Sequence, residues 1–150
     1  MKNRARGFTL IEIMIVLGIM GVLMGIALPQ YSEYVLKGKL TEGITQLSTM
    51  QTRMEQYYQD NRTYAGAAAC ASPVSDCGIC PSTATGLKYF ALTCATSNTG
   101  QRFTYTATST GLGTPEFVYT VNEANTKATT AVPADWTTGA ACWVRSKGGC

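Results

Sequence analysis

The chain has 150 residues, enough for one domain plus a membrane helix. It carries 12 Lys and Arg against 9 Asp and Glu, and the surplus is Lys2, Arg4 and Arg6, so beyond residue 7 nine bases face nine acids and no global basic field points to nucleic acid. Histidine is absent, which excludes Ser-His-Asp and Cys-His catalysis and removes the commonest metal ligand.

The first element is an apolar run. Residues 8–28 contain one charge, Glu12. As a helix these 21 residues are about 31 Å long at ~1.5 Å per residue, enough to cross the hydrocarbon of a bilayer. The bases just before it predict a cytoplasmic N-terminus. A secretory signal peptide would have a shorter apolar region followed by a small-residue cleavage site. Here the small residue, Gly7, precedes the run, so a cut there keeps the apolar helix on the mature protein. A carboxylate within such a helix costs several kcal/mol, which makes Glu12 a functional candidate whose partner is a cation brought by another chain. Gly18, Gly21 and Gly25 are spaced by three and four residues, as a close-packing stripe between helices requires. Pro29 removes a backbone donor and is expected to kink the helix.

Beyond Gln30 the helical period continues through Leu40, Ile44, Leu47, Met50 or Gln51, Met54, and Tyr57 or Tyr58. Lys39, Glu42, Gln46, Arg53 and Gln56 occupy the other positions, so this half reads as amphipathic, with its stripe on a globular head. Asp60-Asn61-Arg62 ends it. Residues 60–87 read as a loop with Pro73, Pro81, Cys70, Cys77 and Cys80. Asn61-Arg62-Thr63 fits a glycosylation triplet by chance. Cys77-Gly78-Ile79-Cys80 has thiol-oxidoreductase spacing but lacks a βαβ setting, and no second pair completes a zinc site. Structural disulfides are the expectation: six cysteines suit an oxidising compartment.

Strands follow at period two: 88–94, 101–109 with Phe103, Tyr105 and Ala107 on one face, 116–122 with Phe117, Tyr119 and Val121 together, and 127–132 after a turn at 123–126. The expected core sets the helix stripe against Phe90, Leu92, Phe103, Tyr105, Phe117 and Tyr119. Such a core is small and needs staples. Gly148-Gly149 permits a tight return that lets Cys142 reach Cys150. Cys70, Cys77, Cys80 and Cys94 leave three connectivities, with Cys94 expected to tie the first strand to the 70–80 loop.

Arg6-Gly7-Phe8-Thr9-Leu10-Ile11-Glu12 resembles the type IV prepilin signature. The resemblance implies that a membrane peptidase cuts after Gly7 and methylates Phe8, and that Glu12 pairs with the Phe8 amino group of a neighbouring subunit. It also implies loosening of the Gly21 to Pro29 segment when subunits join a filament, and a disulfide-bounded loop near the C-terminus. Tyr31-Ser32-Glu33-Tyr34-Val35 also resembles the family's sequence just past the proline. Met54-Glu55-Gln56-Tyr57-Tyr58 with Asp60-Asn61-Arg62-Thr63-Tyr64, Phe117-Val118-Tyr119-Thr120 and the ending Cys-Trp-Val…Lys-Gly-Gly-Cys look like minor type IV pilins, a group that includes receptors for DNA uptake sequences.

The expected fold is therefore α+β, a type IV pilin fold, with a long N-terminal helix packed on an antiparallel β-sheet and stapled by disulfides. The expected organisation is a leader at 1–7, a transmembrane and assembly half at 8–29, and a head at 30–150. The head divides into helix 30–59, loop 60–87, sheet 88–132 and C-terminal loop 142–150. The expected function is a pilus subunit, not an enzyme, without cofactor. It is held in the inner membrane before assembly and in an extracellular filament afterwards. Its partners would be other pilin subunits, the prepilin peptidase and the assembly machinery. Two alternatives stand beside this: a DNA-binding minor pilin, with Arg145, Lys147, Lys127, Arg102 and Lys88 as candidate contacts to double-stranded DNA, and a type II secretion pseudopilin.

Overall fold

The computed structural model describes residues 7–67, 79, 87–110 and 117–150. Helix α1 runs Leu10–Asn61, and its helical backbone continues through position 29. The chain divides into two compact units, Met1–Leu36 and Lys37–Cys150.

In the first unit residues 10–28 of α1 are apolar on every side, with Glu12 as their one charge. Leu10, Ile11, Leu17, Val22, Ile26 and Leu28 are all exposed, as is Phe8 just before the helix. A helix that is hydrophobic all round needs an apolar surrounding, either lipid or other helices. It is long and apolar enough to cross a membrane.

The second unit pairs the rest of α1 with a four-stranded antiparallel meander. Its strands are β1 (Phe90–Ser97), β2 (Arg102–Ser109), β3 (Val118–Asn122) and β4 (Lys127–Ala131). The register places Leu92, Ala107, Tyr119 and Thr129 in one row. All four are buried, and so are Phe90, Phe103, Tyr105 and Phe117. Leu40, Leu47 and Met54 of α1 are fully buried, at the spacing of seven that keeps one face inward. The Phe90 and Tyr119 rings stack at 5.9 Å, and Phe117 meets Trp136 edge-on at 4.9 Å. A sheet carrying aromatic residues on its inner face and threonines on its outer face can leave the outer face in water. Thr93, Thr104 and Thr130 are accordingly exposed.

The strand limits differ from the sequence expectation for identifiable reasons. The first strand starts at Phe90, two residues later than the alternation suggests. The amides of Lys88 and Tyr89 donate to the Glu42 carboxylate, at 3.1 and 2.8 Å, instead of to a ladder. It continues through the polar residues Thr96 and Ser97 because Phe103 and Arg102 pair with them. A 3-10 turn, Asn98–Gly100, joins the two strands. After α1 ends at Asn61, the Tyr64 amide donates to Gly100 O at 2.6 Å and the Tyr64 ring packs 4.9 Å from Phe103. Burial, with the Glu55 carboxylate beside it, pushes the Tyr64 hydroxyl up to about 12. The turn at 123–126 is held by Asn122, whose Oδ1 accepts from the amides of Ala124 and Thr126.

Gly43 is the close-approach point between helix and sheet. A Cβ there would lie 2.8 Å from two atoms of the buried Phe90 ring. Gly→Ala in a helix interior normally stabilises by about 1 kcal/mol, whereas overpacking a core costs about 1 to 3 kcal/mol. The ring is locked by Tyr119, so overpacking wins. Gly43→Ala should lower the thermal midpoint. Gly38→Ala, on the same helix with nothing within 4 Å of the added carbon, should raise it. Equal shifts of the same sign in the two variants would refute the close approach.

Candidate functional site

The start of α1 is built by a reciprocal cap. The Glu12 amide donates to Thr9 Oγ1 at 3.3 Å, and the Thr9 amide donates to Glu12 Oε2 at 3.5 Å. Thr9-Leu10-Ile11-Glu12 is thus a capping box, which satisfies two donors that the first turn would leave without partners. It also places a negative charge at the positive end of the helix dipole. This second role of Glu12 was legible as Thr-x-x-Glu before an apolar run, and the charge-pairing expectation overlooks it. Gly7 has nothing within 4 Å of where a Cβ would stand, and Phe8 is 81% exposed.

The C-terminal loop is a second built element. Cys142 and Cys150 form a disulfide, with Cα atoms 6.2 Å apart. Ser146 and Gly149 bridge within the loop, Gly149 taking a φ of 88°. The loop is fastened to the sheet from inside. Thr129 Oγ1 donates to Cys142 O at 2.9 Å and accepts from the Val144 amide at 2.9 Å. Tyr119 Oη donates to Val144 O at 2.7 Å, and Trp143 Nε1 to Thr120 O at 2.9 Å. Burial pushes the Tyr119 hydroxyl well above its ordinary range, so it stays a donor at any physiological pH. Neither Thr129 nor Val144 stands out in the sequence. Their roles come from the register that sets Thr129 opposite Tyr119, where both hydroxyls reach the backbone of the loop.

Cys94 is also disulfide-bonded. Its partner, and the expected roles of Cys70, Cys77 and Cys80, lie outside the described residues.

The five candidate bases have separate surroundings. Lys147 pairs with Asp135 at 2.5 Å, which holds that carboxyl below its usual range. Arg102 pairs with Glu123 at 3.6 Å. Lys127 sits 4.8 Å above the Trp143 ring, and Arg145 Nη2 donates to Thr41 Oγ1 at 3.2 Å. Lys88 lies 5.1 Å from the Tyr89 ring centroid, which it shares with Lys39 at 5.2 Å, a base that the sequence reading leaves among helix polar positions. Among the described residues no group of His, Cys, Asp and Glu is arranged to hold a metal ion.

Residues 29–116 match the family model described as type IV minor pilin ComP, DNA uptake sequence receptor. Residues 2–28 match the prokaryotic N-terminal methylation motif. The chain is 36% identical over 74 residues to the type IV major fimbrial protein FimA of Dichelobacter nodosus, across 49% of this chain and 46% of that one. It is 35% identical over 78 residues to a fimbrial protein of Pseudomonas aeruginosa, across 52% and 51%. It is 38% identical over 82 residues to the type IV major pilin protein PilE1 of Neisseria gonorrhoeae, across 51% and 48%. The chain spans about half the length of the curated relatives it matches. The minor-pilin match includes Lys88 and Arg102 and ends before Lys127, Arg145 and Lys147.

Proposed function

The chain belongs to the type IV pilins, in the minor-pilin family of ComP, and on that premise we propose that it is a pilus subunit processed after Gly7, held in the inner membrane by residues 8–29 and drawn from there into a filament through the same helix. The observation that carries this reading is the all-round exposure of an apolar helix that starts with a capped acidic turn three residues after a glycine. Lipid satisfies that surface before assembly, and the helices of neighbouring subunits satisfy it afterwards. In water such a surface would aggregate. A peptidase needs backbone access at the Gly7–Phe8 bond, and the open space around Gly7 supports it. The expected product is a mature chain beginning at N-methylated Phe8. Intact-mass analysis of sheared filaments should find that chain in the filament fraction. Gly7→Val should instead leave the full-length precursor in the inner membrane. A normal Phe8 terminus in that variant would refute processing at this bond.

The family description favours a second reading, in which the head also binds DNA. Phosphate contacts release counterions, so affinity should fall with salt by a log-log slope of about −0.9 per phosphate neutralised. The detergent-solubilised chain should show such a slope with duplex DNA. Lys88→Ala and Arg102→Ala, within the matched region, should each reduce it by about one, as should Arg145→Ala and Lys147→Ala if the C-terminal loop takes part. A chain that shows no salt-sensitive shift with any duplex at low ionic strength is a filament subunit only.

A further inference from the structure

Three bases meet α1 at one level, close to where the second unit begins. Lys39 and Lys88 share the half-buried Tyr89 ring, both within cation–π reach of it. Glu42 fixes the backbone at Lys88 and Tyr89, its carboxylate accepting both amides. Arg145 arrives from the C-terminal loop and donates to Thr41. The helix positions concerned, 39, 41 and 42, span about 4.5 Å of axial rise, and positions 39 and 41 point about 200° apart. The bases therefore flank the helix on two sides at one height. Within the second unit the region, with Lys37 included, holds four bases (Lys37, Lys39, Lys88, Arg145) against one acid, Glu42.

This positive surface is tied to the apolar segment by a short length of chain. Leu28 and Lys39 are 11 residues apart, a reach of at most about 40 Å even if fully extended. Tyr31 and Tyr34, 70% and 77% exposed, lie between them. Their spacing of three puts both on one side of the helix, and amphipathic aromatics of this kind sit at headgroup level.

We infer that Lys39 and Lys88, framed by Tyr89, together with Arg145 on the other side of the helix at the same height, form a docking surface for anionic phospholipid headgroups of the bilayer that holds the apolar segment, an inference that rests on the membrane anchoring proposed above. Each base near an anionic surface strengthens such contact about fivefold, within roughly a Debye length of 8 to 10 Å. The tether turns docking into an intramolecular event, so weak individual contacts suffice. A duplex must be captured from solution, whereas the bilayer is always within reach, which favours lipid as the occupant. Docking would hold the second unit against the membrane until the subunit is withdrawn into a filament.

The test uses the full chain in nanodiscs of phosphatidylcholine alone or with added phosphatidylglycerol, footprinted with an amine-reactive ester. Lys39 and Lys88 should label about fivefold or more slowly in the anionic discs, with Lys127 unchanged as the internal control. The protection should vanish at 1 M salt, where the Debye length is about 3 Å. Arg145→Gln should weaken it, and Arg145→Lys should restore it. Equal labelling of Lys39 and Lys88 in the two discs, with the chain still resistant to alkaline carbonate, overturns the docking surface and leaves the anchoring standing. Release of the chain by carbonate overturns both. Protection by duplex DNA in neutral discs, with none from phosphatidylglycerol, reassigns the patch to nucleic acid and overturns the lipid inference.

Discussion

Glu12→Gln should give a subunit that inserts, is cut after Gly7 and yet enters filaments at least about tenfold less than wild type. Glutamine can close the same capping box, so the first turn of α1 survives. What it lacks is the charge that would meet the amino group of a neighbour's Phe8. Tenfold corresponds to about 1.4 kcal/mol, a modest demand on an ion pair in a low-dielectric helix bundle. Removing the charge also removes part of the cost of placing the segment in lipid, so membrane insertion should not suffer. Glu12→Val loses both the cap and the charge. If its incorporation is as poor as that of Glu12→Gln, the charge is the operative property. If only the valine variant fails, the cap is. Quantitative mass spectrometry of sheared filaments from cells co-expressing wild type measures the ratio. Full incorporation of Glu12→Gln would remove the pairing role altogether.

Thr129→Val should have the largest effect on the second unit. Thr129 is 2% exposed, and its hydroxyl both donates to Cys142 O and accepts from the Val144 amide. Valine matches its shape, so little cavity forms. Two hydrogen bonds vanish, and the buried N–H of Val144 and the part-buried C=O of Cys142 lose this partner. At about 1 to 3 kcal/mol for each unsatisfied group, the loss is at most about 2 to 6 kcal/mol. The disulfide over the same loop contributes about 2 to 3 kcal/mol by closing so short a segment of the unfolded chain. One hydroxyl therefore matters about as much as the covalent bond, because it fastens the loop to the sheet whereas the disulfide only closes the loop on itself. The thermal midpoint in detergent should fall by about 10 °C or more. Thr129→Ser, which keeps the hydroxyl, should recover most of this. A valine variant that melts with wild type would show that the loop is held by its rim contacts, Trp143 to Thr120 and Arg145 to Thr41.

Local pattern by itself determined several features of this chain. An uninterrupted apolar run after three bases defines the N-terminal segment, and Thr9-Leu10-Ile11-Glu12 defines its cap. The period-two aromatics place Phe103, Tyr105, Phe117 and Tyr119 inside, and Asn122 marks the last hairpin. These signals lie within one helical turn or one strand repeat, where the chain itself holds the interacting groups at fixed separations. Tertiary structure decided the rest. Glu42 ends the ladder before Phe90 from 46 residues away. Gly43 is needed because Phe90 arrives against it, although in isolation it reads as a weak point of a helix. Thr129 looks like an ordinary strand residue until the register sets it beside Tyr119 and beneath Cys142. Lys39, Lys88 and Arg145, scattered over more than 100 positions, become neighbours of one stretch of α1 only when the sheet and the C-terminal loop close on it. The reason is common to all four. Which distant groups meet depends on strand register and helix rotation, and a slip of one residue in its strand would turn Phe90 or Thr129 to the opposite face of the sheet.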